Sequence, residues 1–127
     1  MQKQIRTFEE ACAKQGIGTE LPDFSMIQEK HRKALESHYK LVIITEAVND
    51  DPNFPDWSNP NQPKYELWPD VFPDKTKPSG FGLSYGDTLC WRTHPNVGSR
   101  LCFKSRELAK YTFETFKELY EDYMLIG

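Results

Sequence analysis

The sequence predicts an α+β fold in which a three-stranded antiparallel meander packs against a long helix in the N-terminal half and a C-terminal helix. One observation is that apolar residues recur every three or four positions in about residues 25–48 and 105–125, which is helical spacing. Another is that apolar and small or polar residues alternate in residues 80–104, which is typical of strands. Strands grouped between helices indicate the α+β class.

Length and composition indicate a single domain, residues 1–127, of ordinary globular type. The net charge of −3 provides no general attraction to nucleic acid or to acidic membranes. No apolar run approaches the roughly 18 residues of a membrane helix, so no membrane association is predicted. The first residues lack a signal-peptide pattern, and the three cysteines fit reduced thiols, so we expect a cytoplasmic protein.

Two helices are predicted before residue 50. Thr7 to Glu10 has the Ser/Thr-x-x-Glu form of a capping box, and Gly16 provides a stop, so a short helix is expected at about residues 8–15. Ser25 to Gln28 is a second capping box, and it predicts a long helix that ends at about Val48.

A segment rich in proline and aromatic residues occupies about residues 49–79. Its seven prolines exclude regular helix from most of it. The alternatives are a disordered linker and an ordered loop, and the large rings favour the loop because disordered segments contain few of them. A short extended piece from Lys64 to Trp68 could add a fourth strand at the edge of the sheet. The rings concerned are Phe54, Trp57, Tyr65, Trp68 and Phe72.

The meander is predicted from two turn-like segments, Ser84 to Thr88 and His94 to Gly98. Folding the chain back at the first segment sets Leu83 opposite Leu89, and the second segment gives a consistent register. The predicted apolar face carries Phe81, Leu83, Leu89, Trp91, Leu101 and Phe103. The reverse face carries Gly82, Ser84, Cys90, Arg92, Arg100, Cys102 and Lys104, and it is locally basic. Ser105 is predicted to cap a final helix that ends at about Leu125.

Five segments of the chain carry a resemblance to a known group of proteins: TEAVND, PDWSNPNQPKY, SGFG, VGSRLCFKSRELAKY and FKELYEDYMLI. From Ile5 to Ile126 the chain resembles a family of small proteins associated with phages, prophages and mobile elements of gut Bacteroidetes. The most specific block is Val97 to Tyr111. That family has no assigned activity or catalytic residues, so the resemblance implies a phage- or mobile-element context and a cytosolic protein.

A metal or catalytic site is not predicted. Cys90 and Cys102 come out as neighbours across two strands, with His94 at the adjoining turn, but zinc normally requires a fourth ligand or a bound water. A Cys–His nucleophile pair would also need an orienting third group, and none is evident. Small, partly buried thiols are the simpler interpretation. The sequence therefore predicts no metal, no cofactor and no catalytic residue.

Two groups of residues are candidates for binding. Arg92 and Arg100 are predicted to face each other across two strands, with Lys104 on the same face, and opposed like charges suit an anionic partner. An internal acid such as Glu66 could instead bridge the two arginines. The loop rings Trp57 and Trp68 could stack on bases or anchor a protein partner, or simply pack the loop on the core.

These patterns favour a non-enzymatic binding module whose partner is another protein. The alternative is a single-stranded nucleic-acid-binding protein that uses the basic face of the meander and the loop aromatics. The acidic overall balance disfavours this alternative, since such binding depends on phosphate contacts.

Overall fold

The computed structural model describes residues 4–91 and 100–125, with the backbone alone at residues 87 and 89–91. Its elements are α1 (Phe8–Gln15), α2 (Glu29–Asn49), β1 (Lys64–Pro73), β2 (Phe81–Trp91), β3 (Cys102–Phe103), α3 (Arg106–Thr115) and α4 (Lys117–Met124). The strands form an antiparallel sheet in the order β2–β1–β3. The α+β prediction is confirmed. None of the described helices is long and apolar enough to cross a membrane.

Helix α1 forms where its capping box predicts it. The Thr7 side chain accepts a hydrogen bond of 3.1 Å from the backbone N–H of Glu10, which satisfies one unpaired donor of the first turn. Gly16 ends the helix in the left-handed conformation with φ of 70°.

Helix α2 begins later than predicted. Its N-cap is Gln28, which makes no side-chain capping bond, so the capping box predicted at Ser25 is wrong. Ser25 instead belongs to a turn, in which its N–H donates to the Asp23 carboxylate at 2.9 Å. The Arg32 guanidinium donates to the carbonyls of Ser25 and Ile27 at 2.9 and 2.7 Å, and this ties the turn to the first turns of α2.

The predicted C-terminal helix is divided into α3 and α4. Ser105 caps α3 as expected, because its hydroxyl accepts from the N–H of Leu108 at 3.2 Å. Phe116 leaves the helical conformation, with φ −116° and ψ 31°, while its ring stays buried in the core. The chain changes direction there, and α4 continues to a contact with β2.

The sheet is centred on β1, and the predicted meander register is wrong. Residues 84–88 are part of one continuous strand instead of a turn, and β3 pairs with β1 instead of with β2. Leu83 is opposite Val71, and Leu89 is opposite Glu66. The piece predicted as an edge strand, starting at Lys64, is therefore the central strand. The predicted turn at 94–98 lies outside the described residues.

A β-bulge explains why the predicted turn is a strand. The register of β1 and β2 shifts between Trp68 and Asp70, so that Tyr85 and Gly86 of β2 together lie opposite Pro69. A Cβ atom on Gly86 would lie 2.8 Å from the Trp68 carbonyl oxygen and 2.8 Å from an Asp70 carboxylate oxygen. Gly86 therefore allows the two backbones to approach closely at a bulge, whereas the sequence predicted a turn at this position.

The extra residue of the bulge also changes which side chains of β2 point to the core. In a regular strand, the side chains of Leu83 and of residues 85, 87 and 89 would lie on the same face. Because of the bulge, Thr88 lies on the same face as Leu83, and both side chains are buried. The predicted apolar face is wrong for a second reason, because the Phe81 side chain, which was expected to be covered, is 46% exposed.

The prolines of β1 occupy positions where the strand needs no donor. Leu83 directs its N–H away from β1 to the Glu121 carboxylate, so Val71 and Leu83 form a non-hydrogen-bonded pair. Pro69 and Pro73 lie two residues before and after Val71, so their backbone nitrogen atoms also point away from β2. Beyond Glu66 no described residue pairs with that edge, so the prolines remove donors from an open edge and protect it from pairing with other strands.

Both outer strands are held by helix side chains. At β3, the Asn49 amide donates to the Cys102 carbonyl at 2.8 Å and accepts from the Lys104 N–H at 3.0 Å. At β2, the buried Glu121 accepts from the Leu83 N–H at 2.9 Å. Asn49 ends α2 and Glu121 lies on α4, so each helix binds backbone groups that would otherwise face a further strand.

The main core lies between the helices and one face of the sheet. Leu83 joins it from β2, and Leu67 and Tyr85 pack against it from the same face. Its buried members are Ile5, Phe8, Ala11, Cys12, Leu41, Ile43, Ile44, Ala47, Leu83, Phe113, Phe116 and Tyr120.

We expect Gly86→Ala to lower the free energy of unfolding by about 1–3 kcal/mol, because the new methyl group meets a carbonyl oxygen that belongs to the paired strand. Chemical denaturation measures this. Gly18→Ala is the matched control, since nothing lies within 4 Å of a Cβ at that position. Equal stability of the two variants would contradict the bulge.

Candidate interaction surfaces

One face of β1 is left uncovered by the helices at its C-terminal end. Strand alternation places every second residue on the face opposite the main core. We call these residues the outer row: Glu66, Trp68, Asp70 and Phe72. Trp68 is 62% exposed, Phe72 is 36% exposed and Asp70 is also exposed. The face is therefore aromatic and acidic, whereas the sequence predicted a basic open face.

The Phe72 ring, at the end of the outer row, packs over a glycine of the neighbouring strand. Gly82 lies opposite it in β2, and a Cβ atom on Gly82 would come within 2.8 Å of the ring. The Lys117 ammonium of α4 lies 5.7 Å from the ring centroid. The missing side chain of Gly82 thus allows Phe72 to extend across β2 toward α4.

At the N-terminal end of β1, the proline-rich loop covers the outer face, and the Lys64 side chain binds the loop there. This side chain is almost fully buried, and its ammonium donates to the carbonyls of Asn59 and Gln62 at 3.0 and 2.9 Å. The ammonium also lies 5.4 Å from the centroid of the Trp57 ring. A buried cation thus joins β1 to the loop and positions Trp57 against it.

The loop has internal hydrogen bonds of its own. The Gln62 side chain accepts from the N–H of Asp56 at 2.6 Å and donates to the carbonyl of Asn53 at 3.3 Å. The Asp51 carboxylate accepts from the N–H of Asn53 at 2.9 Å. These bonds fix the loop between α2 and β1 without a regular element.

A cleft of about 530 Å³ lies between the end of α2, the loop and β3. Trp57 and Arg100, two of the residues predicted for binding, both line it. Glu46, Asp51 and Phe54 line the same cleft, so its surface carries charges of both signs beside aromatic rings.

The structure separates the predicted binding residues into different places. Trp57 and Arg100 line the cleft, and Trp68 belongs to the outer row. Lys104 is exposed, with its backbone N–H bound to Asn49. Arg92 lies outside the described residues, so its predicted position opposite Arg100 stays a prediction. The five residues therefore do not form one basic face among the described parts of the chain.

The cysteines that were predicted to be cross-strand neighbours are separated by β1. Cys102 of β3 pairs with Glu66, while Cys90 of β2 pairs with Tyr65 on the other edge of β1. Burial, and to a smaller extent the Glu66 charge, raises the pKa of Cys102 to about 12. The thiol is therefore neutral at pH 7 and a poor nucleophile or metal ligand. His94 lies outside the described residues, and the rest of the described chain contains no metal-type group of three or more His, Cys, Asp or Glu residues.

The outer row was missed in the sequence. Residues 66–72 do not alternate strictly between apolar and polar side chains, so the pattern that indicates a strand is weak there. Pro69 and Pro73 argued against a long strand, because a proline cannot donate to a ladder. Only the pairing shows that both prolines face the open edge, where no donor is needed.

Comparisons of the chain with protein-family models, with curated proteins and with solved structures found no match. The function is therefore inferred from the surfaces of the chain itself.

We expect Lys64→Met to destabilise the protein by about 1–3 kcal/mol, because the partly buried hydrogen bonds to the carbonyls of Asn59 and Gln62 are lost. The summed tryptophan emission of the folded protein should also change, since Trp57, one of its three tryptophans, loses its charged neighbour. Lys75→Met, at an exposed lysine, is the control. Denaturation followed by tryptophan fluorescence measures both effects, and identical curves for the two variants would show that Lys64 does not hold the loop.

Proposed function

We propose that this protein is a non-enzymatic protein-binding module whose partner docks on the outer row of β1. The observation that carries the proposal is the exposure of Trp68, an aromatic side chain 62% open to solvent in the middle of a strand. Tryptophan is among the residues that contribute most to protein interfaces when a partner covers it. Phe72 adds a second ring on the same face.

The charge of the outer row favours a basic partner surface. Glu66 and Asp70 flank Trp68 on the same face, and the whole chain carries a net charge of −3. Carboxylates beside an aromatic anchor attract lysine or arginine side chains and repel acidic ones. A partner segment with basic residues next to an apolar one fits this arrangement.

Docking should involve side chains more than a strand ladder. On its open edge, β1 has prolines at positions 69 and 73, where a partner strand would need donors. Addition of a strand from a partner would therefore gain few hydrogen bonds. The rings on the face provide most of the contact.

The biological setting that we propose is a phage, prophage or mobile element acting inside the bacterial cytoplasm. The support for it is the resemblance carried by the block from Val97 to Tyr111. In that setting the basic partner would be a protein of the element or of its host.

A second candidate function, binding of single-stranded nucleic acid, is favoured by one observation. Trp57 and Arg100 line the same cleft, where a base could stack and a phosphate could pair with the guanidinium. Glu46 and Asp51 line that cleft as well, and their charges oppose phosphate binding. Protein binding on the outer row is therefore the better supported function.

We expect Trp68→Ser to abolish capture of a partner that the wild-type protein retains from lysogenic or infected cells. With the purified partner, the dissociation constant should rise about 30-fold, which corresponds to about 2 kcal/mol for loss of an aromatic anchor. Asp70→Lys should weaken the same complex because it reverses the local charge. Ile17→Ser, which alters an exposed apolar residue outside the sheet, is the control.

Retention of the same partner by the Trp68→Ser variant and by the wild type would contradict the proposal. Titration with labelled single-stranded oligonucleotides tests the second candidate. Binding that falls steeply with salt and is lost in Arg100→Glu, but not in Trp68→Ser, would favour the nucleic-acid function.

A further inference from the structure

A groove runs between α2, the turn that precedes β2, and α4, and it shares no residue with the outer row. It has a volume of about 360 Å³, and Ala34, Phe81 and Tyr123 provide apolar surface in it. A second depression of about 480 Å³ continues along the start of α2, since His31 and Ala34 line both. Together they form one channel beside α2, lined by both apolar and charged side chains.

Exposed apolar side chains concentrate around this channel. Met26, in the turn before α2, is 95% exposed and lines the second depression together with Leu35. Phe81 and Tyr123, which line the first groove, are also among the exposed large apolar residues of the described chain. An exposed apolar patch of this kind marks an interaction surface more often than a lone exposed residue does.

The two walls of the groove carry opposite charges. Lys30 and Lys33 belong to α2, while Glu118 and Asp122 belong to α4. Lys33 and Asp122 are paired within the chain at 3.6 Å. Lys30 and Glu118 make no ion pair with any described residue, although the Glu118 charge adds to the larger effect of Glu121 in raising the pKa of Lys77. A basic and an acidic side chain therefore remain at the rim.

We propose that the occupant of this groove is a second copy of the same chain, in a two-fold symmetric dimer. A partner of uniform charge would meet repulsion from one of the two walls. A second copy turned by 180° instead places its α2 lysines against the α4 carboxylates of the first, and the reverse contact forms at the same time. Met26 of each copy then enters the groove of the other, where Phe81 is exposed.

The proposal is tested by charge reversal combined with mixing. In the dimer, Lys30 of each copy faces Glu118 of the other, so Lys30→Glu and Glu118→Lys should each place like charges at two equivalent contacts. We expect each variant alone to dimerise at least about tenfold more weakly than the wild type. An equimolar mixture should regain dimerisation, because opposite charges face each other again in the mixed dimer. Sedimentation equilibrium measures all three samples.

Controls separate the interface from folding. Circular dichroism should show that both variants keep wild-type helix content, since neither side chain has an ion-pair partner within the described chain. Met26→Ser should weaken the dimer, and Lys75→Glu, outside the groove, should not. A wild-type chain that stays monomeric as its concentration rises would overturn the proposal. So would a mixture that dimerises no better than either variant, or assembly that continues beyond the dimer.

Discussion

The interaction on which the rest of the structure depends is the pair of hydrogen bonds between the Asn49 carboxamide and β3. Strand β3 has two residues, and its pairing with β1 is correspondingly short. The carboxamide presents a donor and an acceptor with the spacing of a strand backbone, at 2.8 Å from the Cys102 carbonyl and 3.0 Å from the Lys104 N–H. A neutral amide is the side chain that can do both at once in a buried site. The end of α2 is thereby joined to the sheet.

The same principle operates at the opposite side of the sheet. Glu121 from α4 accepts from the Leu83 N–H and forms an ion pair of 3.2 Å with Lys77 in the turn between β1 and β2. Desolvation of a carboxylate is costly unless it is hydrogen-bonded and paired, and here it is both. Strand β3 pairs with β1 only at Tyr65 and Glu66, and beyond that point Trp68 and Asp70 of the outer row are exposed.

Most local capping signals in the sequence are correct in this chain, with the capping box at Ser25 as the exception. Thr7, Ser105 and Gly16 cap their helices as expected, because a capping bond involves residues only a few positions apart. The sheet shows where local reasoning fails. Gly86 has the same turn-like neighbours whether it forms a hairpin or a bulge, and the choice depends on the distant Trp68 carbonyl against which it packs. Lys64 is a comparable case, since burial of its ammonium depends on loop carbonyls that no periodic pattern indicates.

The candidate surfaces follow from those long-range contacts. The sequence identified Trp68 as a ring of the proline-rich loop, and it treated the arginines on the predicted basic face as a separate candidate. Strand alternation along β1 puts Glu66 and Asp70 beside the ring, and Arg100 lies at the cleft with Trp57. The charge of the proposed interface is therefore set by β1 and not by the arginines, and with it the kind of partner.

The most direct test of this account is the stability of Asn49→Asp as a function of pH. The carboxylate has the shape of the amide but cannot donate to the Cys102 carbonyl, so near neutral pH we expect a loss of about 3 kcal/mol relative to the exposed control Asn53→Asp. The unfavourable contact raises the pKa of the new carboxyl in the folded state, and the loss should therefore disappear as the pH falls toward about 4, where the protonated group can donate again. Denaturation curves that match those of the control at neutral pH would contradict the role assigned to Asn49.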